Sequence, residues 1–103
     1  INDENFAAEL VKYLTSKGKG PFYIKNELKL HNIDNELISK LLDDENDIPA
    51  YVQIINLIKK RYPEFDGSQK NEVRKIAMFF QRRGFSSSDI AKALKICEAN
   101  LED

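Results

Sequence analysis

The chain has 103 residues, enough for one domain or two very small ones. A single cysteine excludes an intrachain disulfide and fits a reducing compartment, and no apolar run approaches the roughly 20 residues that cross a bilayer. The formal net charge of −1 points to no partner, so any electrostatic role lies in how the 16 basic and 17 acidic residues are distributed.

Three prolines and four glycines suit long helices better than many-turned β structure. Residues 3–16 place Phe6, Leu10, Tyr13 and Leu14 on one helical face, with Asp3 and Glu4 at the end where the helix dipole favours acid. Lys17-Gly18-Lys19-Gly20-Pro21 then stops, turns and restarts the chain. Gly18 suits the left-handed position past a helix end, and Pro21 suits a first turn. Ile24 and Leu28 mark the buried side of a second helix that ends at Leu30-His31-Asn32, with Asn32 as a left-handed cap. Asp34 is an N-cap for a third helix carrying Leu37, Ile38, Leu41 and Leu42. The acidic string Asp43-Asp44-Glu45-Asn46-Asp47 reads as a linker between two units, residues 1–45 and 46–103.

Pro49 opens a fourth helix with Tyr51, Ile55, Ile58 and Tyr62 at helical spacing, and Pro63 stops it. Phe65-Asp66-Gly67 reads as a turn. Ser68 is expected to cap a fifth helix running to Arg83, with Val73, Ile76, Ala77 and Phe80 inward. After Gly84 and Phe85, Ser86 and Asp89 form a capping-box-like pair for a sixth helix, whose apolar stripe is Ile90, Ala93, Leu94 and Cys97.

The two halves repeat. Ile33 and Phe85 stand 52 positions apart, and the same offset carries Ile24 onto Ile76, Leu28 onto Phe80, Asn32 onto Gly84, Ile38 onto Ile90 and Leu42 onto Leu94. A repeat of this period indicates stacked three-helix units, an all-α and elongated architecture, rather than one globular core.

No catalytic constellation is present. His31 falls at a helix end, as an exposed or C-capping imidazole, and Cys97 falls on an apolar stripe as small core filler. Zinc-ligand spacing is missing. The Gly18/Gly20 pair follows a helix rather than a strand, so it is not a phosphate loop. Residues 43–47 lack the alternating ligands, central glycine and terminal Glu of a calcium loop. No enzymatic activity, metal or cofactor is expected.

Basic residues cluster despite the near-neutral total. Lys17, Lys19, Lys25 and Lys29 surround the first turn, and Lys59, Lys60 and Arg61 end helix four. On helix five Arg74, Lys75, Met78 and Arg82 share a face opposite Val73, Ile76 and Phe80. Such a face is either simply solvated or a docking surface, and Met78 among cations favours docking. The repeat offset puts Phe22 and Asn26 at the positions of Arg74 and Met78. Phe22 is thus either outward-facing beside Lys25 and Lys29 or packed between helices.

Three motifs resemble the RecX family, bacterial regulators of the RecA recombinase. They are Asp3-Glu4-x-Phe6-Ala7, then Lys17-Gly18-x-Gly20-Pro21-x-x-Ile24-x-x-Glu27-Leu28, then Phe80-Gln81-Arg82-Arg83-Gly84-Phe85. Asn32 replaces the glycine usual in the family before Ile33, and Phe22 and Tyr23 occupy positions that are often basic. The resemblance implies the second and third three-helix repeats of a non-enzymatic regulator active in recombination, DNA repair and the SOS response. A cytoplasmic location is expected from the lone cysteine and the lack of a spanning run, and a monomer is expected as well. Such proteins bind in the groove of the RecA–single-stranded-DNA filament and restrain recombinase, ATPase and co-protease activity. In that context Arg74, Lys75, Met78 and Arg82 are the expected filament-binding face, with Lys17, Lys19, Lys25 and Lys29 as the second candidate group. The competing reading is a small helix-turn-helix DNA-binding module. Against it, Asp34-Asn35-Glu36 and Ser86-Ser87-Ser88-Asp89 open the third helices without a base-reading arginine. A purely structural scaffold is a third reading.

Overall fold

Capping and apolar spacing divide the described residues into helices joined by turns. The computed structural model describes residues 3–44 and 48–101. It contains α1 (Asp3–Ser16), α2 (Pro21–Leu30), α3 (Asn35–Asp44), α4 (Ala50–Arg61), α5 (Lys70–Arg82) and α6 (Ser87–Leu101), with no strand among the described residues.

Three helix ends share one closure. Past α1 the Lys19 N–H donates to the Leu14 carbonyl and the Gly18 N–H to Thr15. Past α2 the Ile33 N–H donates to Leu28 and the Asn32 N–H to Lys29; past α5 the Phe85 N–H donates to Phe80 and the Gly84 N–H to Gln81. This paired closure absorbs the last orphan carbonyls and needs a left-handed residue at the turn. Gly18, Asn32 and Gly84 supply it, with φ of 81°, 60° and 95°. The closure throws Ile33 and Phe85 back onto their own helices, and both are buried.

Two separate cores result. α1–α3 enclose Ala7, Val11, Leu14, Ile24, Leu28, Ile33, Ile38 and Leu41. α4–α6 enclose a larger set around Ile54, Ile58, Phe65, Ile76, Phe80, Phe85 and Ile90. Full burial of one such side chain contributes about 1.5–3 kcal/mol, so each unit rests on a handful of residues. In the second core Phe80 meets Phe79 and Phe85 edge-on at centroid distances of 5.1 and 5.8 Å. The 52-residue offset holds at the level of burial: Ile24 and Ile76, Leu28 and Phe80, Ile33 and Phe85, and Ile38 and Ile90 are all buried pairs.

The chain is elongated, 51 × 23 × 20 Å. Its radius of gyration of 15.1 Å exceeds the roughly 13 Å of a compact domain of this length.

Four local expectations are corrected. The inner face of α1 is Ala7, Val11 and Leu14, whereas Phe6 and Tyr13 are exposed. Small residues face the neighbouring helices and allow close approach, and the large rings stay at the rim. Phe65 is not a turn residue but is buried in the second core; the short break after Pro63 directs its ring inward. Ser68 does not cap α5, whose N-cap is Gln69. The Ser68 hydroxyl and N–H both donate to the Asp66 carboxylate, at 2.6 and 2.9 Å, which closes the preceding turn and holds that carboxyl below its usual range. The string read as a linker begins inside α3, which continues through Asp44. Residues 45–47, where the unit boundary was expected, lie outside the described residues. The cap of α6 is as expected: the Asp89 N–H donates to the Ser86 hydroxyl oxygen, and that hydroxyl donates to the Asp89 carboxylate.

Candidate functional site

The two units meet where α5 ends and α2 begins. The first N–H groups of a helix and its last carbonyls lack intrahelical partners. Here each set satisfies the other. The Gly20 N–H donates to the Arg83 carbonyl at 2.7 Å and the Phe22 N–H to the Gly84 carbonyl at 3.0 Å. Pro21, between them, has no N–H to satisfy. The negative end of α5 thus faces the positive end of α2, a favourable head-to-tail arrangement of helix dipoles. Arg83 adds a side-chain bond, its Nη1 donating to the Lys17 carbonyl at 2.8 Å. The approach is close enough to demand glycine. A Cβ on Gly20 would stand 2.6 Å from the Gly84 carbonyl group, and one on Gly84 would collide with the Tyr23 backbone.

This joint brings the outer face of α2 beside that of α5. Between them is an open cavity of about 400 Å³ lined by Phe22, Tyr23, Lys25, Asn26, Lys29, Arg82 and Gly84. A second cavity of about 260 Å³ is lined by Arg61, Tyr62, Lys75, Met78, Phe79 and Arg82. Arg82 belongs to both, so the two form one groove across the joint. Among the described residues no carboxylate lines either cavity, and five cations do: Lys25, Lys29, Arg61, Lys75 and Arg82. Phe22 is 61% exposed at one end and Met78 45% exposed towards the other.

The aromatic residues also hold cations. The ring of Phe79 carries two guanidinium groups, those of Arg61 and Arg83, at 4.5 and 4.6 Å from its centroid. Lys19 sits 4.6 Å from the ring of Tyr23 and Lys17 5.6 Å from that of Tyr13.

The candidate residues therefore divide. Lys25 and Lys29 of the first unit join Arg82, Lys75 and Met78 of the second in one groove, although they stood as separate groups in the sequence. Arg74 is exposed but lines neither cavity. Lys17 and Lys19 lie at the joint, outside the groove lining. Phe22 is outward-facing, which resolves the open alternative. Tyr23, Asn26, Arg61, Tyr62 and Phe79 were not singled out as site residues. Their only signal was the 52-residue offset and the basic end of helix four. Of the two residues weighed for chemistry, Cys97 is buried in the second core, its thiol pKa raised by that burial, and His31 lies edge-on to Phe6 at 5.2 Å on the surface of the first unit. No helix among the described residues is long and apolar enough to cross a membrane.

Chemically, clustered cations neutralise phosphate or carboxylate, an exposed ring offers a stacking surface, and an adaptable thioether accepts an apolar side chain. The groove is equipped for an extended, negatively charged partner.

Comparison with known proteins bears on the family rather than on the groove. The family model for the second three-helix domain of RecX matches residues 2–42, and that for its third three-helix domain matches residues 51–94. Similar relatives include the regulatory protein RecX of Stenotrophomonas maltophilia strain R551-3, 30% identical over 95 residues that make up 91% of this chain and 57% of the relative. The regulatory protein RecX of Xanthomonas axonopodis pv. citri strain 306 is 34% identical over 103 residues, 99% of this chain and 60% of the relative. That of Xanthomonas campestris pv. campestris strain B100 is 32% identical over the same length and coverage. The chain spans about 60% of the length of the curated relatives it matches.

Proposed function

Because the chain belongs to the RecX family of regulatory proteins, we propose that it binds the RecA–single-stranded-DNA filament and restrains recombinase, ATPase and co-protease activity. It acts by occupancy and carries out no chemistry of its own. We assign residues 1–45 and 46–103 as its two structural units, and a monomer acting in the cytoplasm, within the SOS response, as its working form.

The observation that carries this reading is the carboxylate-free groove across the joint, with five cations, an exposed Phe22 and an exposed Met78. A recombinase filament presents DNA phosphate, unstacked bases and protein side chains along one helical path. Cations spread over two units follow such a path better than a compact patch does, and their contacts to phosphate make binding salt-dependent. Phe22, beside Lys25 and Lys29, is placed to stack on a base of the single strand, and Met78 to seat an apolar side chain of the recombinase. Arg74, Lys17 and Lys19 lie outside the groove lining and contribute to the surrounding field.

The test is titration of RecA ATPase and strand exchange with this chain at two ionic strengths. Inhibition that weakens with salt supports the reading. Sequence-preferring binding to naked duplex DNA, independent of RecA, would replace it with the helix-turn-helix alternative.

A further inference from the structure

The larger cavity is not a property of either unit alone. One wall is α2 and the other is Arg82 and Gly84, so the relative placement of the units sets the spacing between Lys25 and Lys29 on one side and Arg82 on the other. Among the described residues, three hydrogen bonds cross the joint. Two are main-chain bonds, accepted by the carbonyls of Arg83 and Gly84, and do not involve the Arg83 side chain. The third comes from a side chain: Nη1 of Arg83 donates to the Lys17 carbonyl at 2.8 Å. The same guanidinium lies 4.6 Å from the ring of Phe79, on its own unit. Arg83 is thus anchored to the second unit through the ring and to the first through the carbonyl, yet it lines neither cavity.

Gly20 carries a second, independent observation. Its φ of −90° and ψ of 173° are extended backbone that any residue adopts, so its own conformation does not call for glycine. The contact does. A Cβ there would meet the Gly84 carbonyl group at 2.6 Å and Cγ of Phe85 at 2.8 Å. One is backbone and the other a buried ring, and neither can swing aside.

We propose that Arg83 is a positioning residue. It clamps the α1–α2 turn onto the end of α5, with Gly20 permitting the contact, and so fixes the convergence of cations across the groove. The consequence for binding rests on the proposed function; the clamp itself does not. With the joint closed, the α2 and α5 cations engage one extended partner together. With it open, they act as two tethered and weaker sites.

The experiment uses the full chain with Cys97→Ala and spin labels at exposed positions of α3 and α6, introduced as Ser39→Cys and Lys95→Cys. Pulsed electron–electron resonance reads the distance between units, circular dichroism the helicity, and fluorescence anisotropy the affinity for a RecA filament on oligothymidylate. The parent is expected to give one narrow distance distribution. Arg83→Ala and Gly20→Ala should each broaden it without loss of helicity and weaken filament binding at least fivefold. Arg83→Lys keeps the charge but not the planar fork that both lies on a ring and donates, so it should broaden the distribution as Arg83→Ala does. A narrow distribution in folded Arg83→Ala overturns the clamp. A broadened distribution with unchanged affinity, or restored affinity in Arg83→Lys without a restored distance, overturns its control of binding. If Arg83→Ala fails to fold, Gly20→Ala decides by the same readings. If the parent binds no filament, the proposed function fails, and the distance measurement still decides the clamp.

Discussion

The main-chain N–H of Gly20 donates to the carbonyl oxygen of Arg83 at 2.7 Å, joining the start of α2 to the end of α5. Two helix termini that would each leave polar groups unpaired thereby complete one another. The joint turns a pair of small three-helix units into one elongated body, and it places the basic faces of α2 and α5 side by side.

Gly84 has two demands on it, and substitution should expose both. Its φ of 95° disfavours any side chain, and a Cβ would collide with the Tyr23 backbone across the joint. Gly84→Val should destabilise by more than about 2 kcal/mol. Asn32, its counterpart in the first unit, has φ of 60° and is exposed. Asn32→Gly should change stability by less than about 1 kcal/mol, because Asn tolerates this conformation and glycine accepts it freely. Urea unfolding of both variants checks the contrast; equal losses would contradict it.

Phe85 is 3% exposed and packs edge-on against Phe80 at 5.8 Å. Removing its ring leaves a cavity in the second core and takes away the surface on which Gly20 rests. Phe85→Ala should cost about 3–5 kcal/mol in chemical denaturation. A loss near zero would mean that the core does not depend on this ring.

Much of this architecture was legible in the sequence because a helix end announces itself locally. Gly18, Asn32 and Gly84 each stand before a residue that folds back, and the offset of 52 was visible from Ile24 to Leu94. Less legible was anything decided between elements. The inner face of α1 was misread because Phe6 and Tyr13 outweigh Ala7 and Val11 in any hydrophobic count, although close helix packing favours the small residues. Phe65 was misread because Pro63 and Gly67 suggest a turn. The groove was seen only as two basic clusters: Lys25 and Arg82 are far apart in sequence, and only the joint brings them together. One hint was available, a glycine at position 20 ahead of Pro21, where no left-handed turn requires it.

Burial raises the pKa of the Cys97 thiol above its ordinary value, with Glu98 adding to the shift and Lys59 opposing it. The folded chain therefore holds this proton more tightly than the unfolded chain does. Its stabilising contribution is full below the ordinary thiol pKa, about 8.5, and is lost as pH rises through the raised folded value. Compared with Cys97→Ala, the wild-type chain should lose stability with rising alkalinity, and its thiol should react slowly with Ellman's reagent until denaturant is added. Parallel pH profiles for the two chains would contradict this.

Met78 and the cations should separate in kinetics. Exposed charges accelerate encounter, and that effect is screened over roughly 8–10 Å in moderate salt. An apolar anchor acts after encounter. Met78→Ala should raise the dissociation rate from the filament with little change in the association rate or its salt dependence, whereas Lys75→Glu should lower the association rate. Stopped-flow binding at two ionic strengths reads both. A Met78→Ala effect confined to association would contradict the assignment.

The most direct test compares two arginines on one helix. Arg82 lines both cavities and Arg74 neither, although both are exposed and carry the same charge. Affinity for the RecA–single-stranded-DNA filament should be measured for Arg82→Glu, Arg74→Glu and the double variant, with circular dichroism confirming the fold. Arg82→Glu should lose at least tenfold, about 1.4 kcal/mol. Arg74→Glu should lose less than about threefold, a long-range charge effect only, and the double variant should stay close to Arg82→Glu alone. Unchanged filament affinity in folded Arg82→Glu, or equal losses at the two positions, would contradict the assignment of function to the groove across the joint.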